Sequence, residues 1–99
     1  MSGKEKYIEL LTDSIPYIRD RFEVKSMLMF GSVARGDEHA ESDVDLFVDM
    51  PPKAFQVIRL KQYLQKLLGR TVDVVRQHSR LDPFLTNEIK RDGITIFAD

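Results

Sequence analysis

Asp43, Asp45, Phe47 and Asp49 alternate with Val44, Leu46 and Val48. This alternation constrains the chain more than anything else in it. Successive side chains on a strand point to opposite faces, so the three aspartates share one side and the aliphatic residues pack on the other. Aspartate is depleted in strands, and neighbouring carboxylates repel unless a cation lies between them. Hard oxygen ligands of this kind suit Mg²⁺. The Cα atoms of Asp43 and Asp45 should lie roughly 6–7 Å apart, from the rise of a strand. Their carboxylates can then reach metal ions held about 3.5–4 Å apart, the separation of a two-metal phosphoryl-transfer site.

The stretch before it, Met27 to Phe30, is a short apolar run of the kind found in buried strands, and Gly31-Ser32 ends it. Gly31 has no Cβ to keep backbone N–H groups away from a ligand, and the Ser32 hydroxyl can donate to a phosphate oxygen. A short helix over 33–38 would present free N–H groups beside Gly31 and Ser32. Arg35 can reach a phosphate with its planar fork, or pair with Asp37, Glu38 or Glu41 instead. Alone, a Gly-Ser after a strand is an ordinary turn, and an Asp-x-Asp is an ordinary solvated edge. Here ten residues separate Ser32 from Asp43, and both features bracket one loop.

The remaining elements follow from periodicity. Ile8, Leu11, Ile15, Ile18 and Phe22 form one apolar stripe over 4–22, with Pro16 inside it. Proline removes a helix hydrogen bond, so a kink or restart is expected near Ser14. The unbroken phase favours one bent helix. Tyr7 and Tyr17 read as half-buried, and the first strand covers 25–30. Ser42 is expected to hydrogen-bond locally and orient the second strand. Phe55, Ile58, Leu60, Leu64, Leu67 and Leu68 line a helix over 54–68, closed by Gly69 in the left-handed region. Lys53, Arg59, Lys61 and Lys66 give that helix a solvated face, or a surface for a partner or polynucleotide. A third strand spans 71–76 and places Asp73 among valines, where it needs a cation, donors, or an exposed strand edge. His39 and His78 fall in polar turns with no partner histidine for zinc. Asp82-Pro83 opens a last helix, with Phe84, Leu85 and Ile89 on its apolar side, and Ile94 to Ala98 forms a terminal strand. The alternation, αβαβαβ in outline, predicts an α/β class, two-layer sandwich.

Phe30-Gly31-Ser32, Ala34-Arg35-Gly36, Ser42-Asp43-Val44-Asp45-Leu46 and Val72-Asp73-Val74-Val75 together resemble the nucleotidyltransferase superfamily, the fold of DNA polymerase β. Within it the sequence is most similar to the minimal nucleotidyltransferases, antitoxins paired with HEPN-domain toxins. The resemblance implies a mixed sheet. It also implies catalytic and metal-binding roles for Asp43, Asp45 and Asp73, and nucleotide binding by Gly31 and Ser32, with Arg35 as a further contact. Two Mg²⁺ ions and ATP follow from it, as does transfer of AMP to a hydroxyl, a tyrosine of a HEPN toxin, which silences the toxin. Two other functions stay open: an inactive antitoxin that neutralises its partner by binding, and a transferase that modifies a small molecule such as an antibiotic.

Size and charge narrow the setting. Ninety-nine residues make one domain, 1–99, with no room for the helical domain that larger superfamily enzymes use to hold an acceptor. Such a chain buries roughly 65% of its unfolded surface, enough for one core. A net charge of −1 gives no basic excess, so a nucleic acid is not expected as a direct ligand. No cysteine is present for a disulfide or a thiolate site. Apolar runs of about four residues are too short to span a membrane. The expectation is a cytoplasmic protein.

Overall fold

The computed structural model describes residues 3–37 and 42–98. Helices α1 (Gly3–Asp13) and α2 (Ile15–Phe22) lead into strand β1 (Ser26–Phe30). The short helix α3 (Gly31–Arg35) follows at once, then strand β2 (Val44–Asp49) and helix α4 (Ala54–Leu68). Strand β3 (Val72–Arg76), helix α5 (Pro83–Asp92) and strand β4 (Ile94–Phe97) complete the chain. The expected strands, including the terminal one, and the expected short helix after β1 are all present, and the one addition is that the first helix is split in two. Glu38, His39 and Glu41 lie outside the described residues. The short helix expected over 33–38 instead starts at Gly31 and stops at Arg35, where Gly36 takes a left-handed φ of 82°.

The strands form one sheet in the order β3-β2-β1-β4. β1 runs antiparallel to both β2 and β4, whereas β2 and β3 are parallel, so the sheet is mixed. The parallel pair requires a crossover, and α4 supplies it. Met27 and Met29 of β1, Val44, Leu46 and Val48 of β2 and Val72 of β3 are buried on one face. They pack there with Leu11 of α1, Ile18 of α2 and Leu60, Leu64 and Leu68 of α4. The opposite face carries Leu28, Asp45 and Phe47, and α5 crosses it with Ile89 buried.

Local chemistry sets the boundaries. The first helical segment breaks at Ser14, and Pro16 occupies the first turn of α2. The structure therefore has a restart, not a single bent helix, although Leu11 and Ile18 keep one apolar phase across it. The Tyr63 hydroxyl donates to Ser14 Oγ at 3.1 Å and ties the break to α4. α4 spans the expected residues and stops at Gly69, whose φ of 66° lets its N–H reach Gln65 O at 2.9 Å. Asp82 caps α5 by accepting from the Phe84 N–H at 2.9 Å.

Some side chains depart from expectation. Tyr7 is buried, because its hydroxyl accepts from Arg70 at 3.0 Å beneath the α4–β3 turn. Phe55 and Ile58 are 76% and 51% exposed, and Phe84 is 86% exposed. Leu60, Leu64 and Leu68 recur every four residues. Ile58 lies about 200° and Phe55 about 140° around the helix from Leu60, off that stripe. Among the described residues no helix is long and apolar enough to cross a membrane.

Candidate active site

The site is built from strand ends. Phe30, the last residue of β1, pairs with Asp45 of β2, and Asp45 pairs with Asp73 of β3. Phe30, Asp45 and Asp73 therefore stand in one row across three adjacent strands, and Gly31 follows Phe30 as the first residue of α3. Strands lie about 4.8 Å apart, so the row spans about 10 Å. Asp43 precedes the first residue of β2 and is exposed, as is Asp73, whereas Asp45 is partly buried.

Gly31 is fixed by two constraints. Its φ is 80°, a region that side chains with a Cβ rarely adopt, and a Cβ there would overlap Oδ2 of Asp45. The backbone at the end of β1 thus comes directly against the carboxylate. Ser32, partly buried, is the second residue of α3. The loop returning to β2 is held where it re-enters the fold: the Arg70 guanidinium donates to the Ser42 carbonyl as well as to the Tyr7 hydroxyl. Ser42 is buried, and its carbonyl bond to Arg70 fixes the residue before Asp43. Ser42 was expected to bond locally, and this contact comes instead from a residue 28 positions away.

Asp45 bears the electrostatic load. Burial pushes its carboxyl up to about 6, and the negative charges of Asp73, Asp43 and Glu88 add to the rise. Arg35 acts in the opposite direction. Arg35 itself donates to Asp37 at 3.2 Å and to Glu88 and Asp92 of α5 at 3.3 Å each. Pairing with Asp37 was one of its two expected roles. Glu88 and Asp92 are additional, and they fasten α3 to α5. Their spacing of four places them on one helix face, but only the tertiary packing turns that face to α3. His78 sits in the turn after β3, where its Nδ1 accepts the Arg80 N–H at 3.1 Å.

The donor set fits divalent cations. It consists of carboxylates, and Asp45 experiences an excess of negative charge that a cation would relieve. Among the described residues no three acidic or imidazole side chains are gathered tightly enough to ligate one ion by themselves. Mg²⁺ is commonly held by one or two carboxylates together with substrate phosphates, not by an all-protein cage, and an open row serves that purpose.

Comparisons with known proteins agree with the geometry. The family described as polymerase beta, nucleotidyltransferase, matches residues 13–99. Protein adenylyltransferase MntA of Thermococcus cleftensis is 39% identical over 77 residues, covering 76% of this chain and 78% of that protein. A Methanocaldococcus jannaschii protein named as a candidate protein adenylyltransferase is 34% identical over 92 residues, 89% of this chain and 92% of its own. Among solved structures, one described as a candidate minimal nucleotidyltransferase superposes with a TM-score of 0.68 at 32% identity. That match covers 88% of this chain and 93% of the other. A toxin–antitoxin crystal structure with AMP-PNP also gives 0.68 at 26% identity, over 97% of this chain and 73% of that one.

Proposed function

Since this chain belongs to the polymerase beta nucleotidyltransferase family, we propose that it moves AMP from ATP to a hydroxyl on a partner protein and thereby acts as an antitoxin. Residues 1–99 would form a single minimal nucleotidyltransferase domain. The observation that carries this reading is the pairing of Asp45 with Asp73 by strand register, with Gly31 packed against the Asp45 carboxylate and Asp43 beside it.

Gly31 and Ser32 hold the β- and γ-phosphates, where the backbone approaches Asp45 most closely. Asp43, Asp45 and Asp73 would hold two Mg²⁺ ions. When bound, these ions neutralise phosphate charge and acidify the attacking hydroxyl. The acceptor oxygen bonds to the α-phosphorus. The bond from that phosphorus to the bridging oxygen breaks, and pyrophosphate leaves with the electron pair. Asp73, at the exposed edge of the row, takes the hydroxyl proton. Arg35 exchanges one of its carboxylate partners for a phosphate oxygen, since exposed ion pairs of this kind are worth only about 0–1 kcal/mol. Catalysis is then mainly positioning and electrostatic stabilisation.

The acceptor is a tyrosine of a HEPN-domain toxin. The minimal nucleotidyltransferase resemblance supports this, and the likeness to a protein adenylyltransferase of Thermococcus cleftensis supports an acceptor on a protein. A cytoplasmic setting, where ATP and Mg²⁺ are available, fits this reaction. The test is incubation of the protein and its co-expressed toxin with Mg²⁺ and ATP labelled at either the α- or the γ-phosphate. Label from the α position should appear on the toxin, and label from the γ position should not. Tight binding without label would instead support neutralisation by occlusion. An Asp43→Ala/Asp45→Ala variant that labels as well as the wild type would remove the mechanism.

A further inference from the structure

An acceptor hydroxyl must be open to solvent and not already committed to a hydrogen bond. The chain has three tyrosines, and the fold treats their oxygens differently. Tyr7 is buried, and its hydroxyl accepts from Arg70 at 3.0 Å. The Tyr63 hydroxyl donates to Ser14 Oγ at 3.1 Å. Tyr17 is 49% exposed, and among the described residues no hydrogen bond engages its hydroxyl. Its ring is anchored, with its centroid 4.9 Å from that of Tyr63 and 6.0 Å from that of Phe22, the latter contact edge-on. Ring pairs at these distances are favourable. The fold thus presents one phenol on a fixed ring.

We propose that Tyr17 is itself an acceptor, adenylylated by the carboxylate site of a second copy of this chain. The inference rests on the nucleotidyl-transfer reading above. One molecule does not reach its own Tyr17. Ile18, the next residue of α2, is packed in the core with Leu46 of β2 and with Leu60 and Leu64 of α4. Asp45 alternates with Val44 and Leu46, so its carboxylate leaves the opposite face of the sheet. The sheet therefore stands between the phenol and the row, and the hydroxyl must arrive on another molecule. There the Tyr17 oxygen bonds to the α-phosphorus of ATP. The bond from that phosphorus to the bridging oxygen breaks, pyrophosphate leaves with the electron pair, and Asp73 of the copy that holds the ATP takes the phenol proton.

Charge favours that encounter. α2 and α4 together carry five cationic side chains, Arg19, Arg21, Arg59, Lys61 and Lys66, against one carboxylate, Asp20. Arg21 follows Tyr17 by one helical turn, and Arg59 precedes Tyr63 by one turn, so a guanidinium flanks each member of the ring pair. The receiving site has the opposite sign: Asp43, Asp73 and Glu88 act on Asp45 against the single charge of Arg35. Opposed fields of this kind steer two surfaces together and orient them even where the contact is brief.

The test is incubation of the purified chain alone with Mg²⁺ and ATP labelled at the α- or the γ-phosphate, with peptide mass spectrometry to place the label. The same assay with the co-expressed toxin reports the transferase itself. Label from the α position should sit on Tyr17, and label from the γ position should not. Tyr17→Phe keeps the ring contacts, so it should fold as the wild type does, lose the label on this chain and still label the toxin. Mixed with Asp43→Ala/Asp45→Ala, whose own site is disabled, active Tyr17→Phe should place label on that inactive chain. A labelled toxin with no label on this chain would overturn the inference and leave the transferase reading intact, as would label on this chain at any residue other than Tyr17. Wild-type label at Tyr17 with none on the inactive chain of the mixture would also overturn it, by showing transfer within one molecule. If neither the toxin nor Tyr17 takes label, the transferase reading falls and the inference with it.

Discussion

At Asp45 the folded chain holds a carboxyl that resists ionisation, pushed up to about 6 by burial and then by Asp73, Asp43 and Glu88. Between the unfolded value of about 4 and this one, the native state binds more protons than the unfolded state. Stability from this group is therefore present below about pH 4 and is lost as pH rises through about 6. Asp45→Asn should raise stability at pH 8 by about 1–2 kcal/mol, a figure discounted for solvent screening, and change little at pH 4. Denaturant titrations at the two pH values check this. Equal effects at both would show that the carboxylate is not under that load. Gly31 makes a second prediction. Gly31→Ala adds a Cβ against Asp45 Oδ2 at a φ of 80°. It should cost about 1–3 kcal/mol of stability and weaken nucleotide binding more than about tenfold, read by thermal melts and calorimetry.

Elements fix how well these residues are aimed. β2 was legible in the sequence because its alternation has period two, and Val44, Leu46 and Val48 are buried as that pattern demands. α4 was legible from its four-residue leucine spacing and from Gly69. Phe55 and Ile58 were misassigned because apolar identity outweighed angular position in the reading, and the structure leaves both in solvent. The break at Ser14 depends on a local hydrogen-bond choice that an unbroken stripe does not reveal. The site was legible in part. The residue types and spacing pointed to Asp43, Asp45 and Asp73, whereas the pairing of Asp45 with Asp73 is a contact between distant strands. For the same reason no local pattern marked Arg70 or Glu88. Arg70→Ala should cost about 1–3 kcal/mol by leaving the Ser42 carbonyl and Tyr7 hydroxyl without this donor. It should also slow transfer through a looser Asp43. An unchanged rate in a folded Arg70→Ala protein would detach that brace from the chemistry. Leu64→Ala, which empties a fully buried position of α4, should cost about 2–5 kcal/mol in denaturant melts.

Across the whole molecule, the apolar core lies on one side of the sheet and the charged row on the other, between α5 and the open edge at β3. Net charge is only −1, so the charge that matters is local. Carboxylates that repel one another become useful when cations and phosphates share them, which makes metal and nucleotide binding interdependent. Calorimetric titration of a non-hydrolysable ATP analogue, with and without Mg²⁺, measures that interdependence. The account predicts binding that requires Mg²⁺ and falls by at least about tenfold in Asp43→Ala/Asp45→Ala. Equal affinity without the metal, or in that variant, would contradict it.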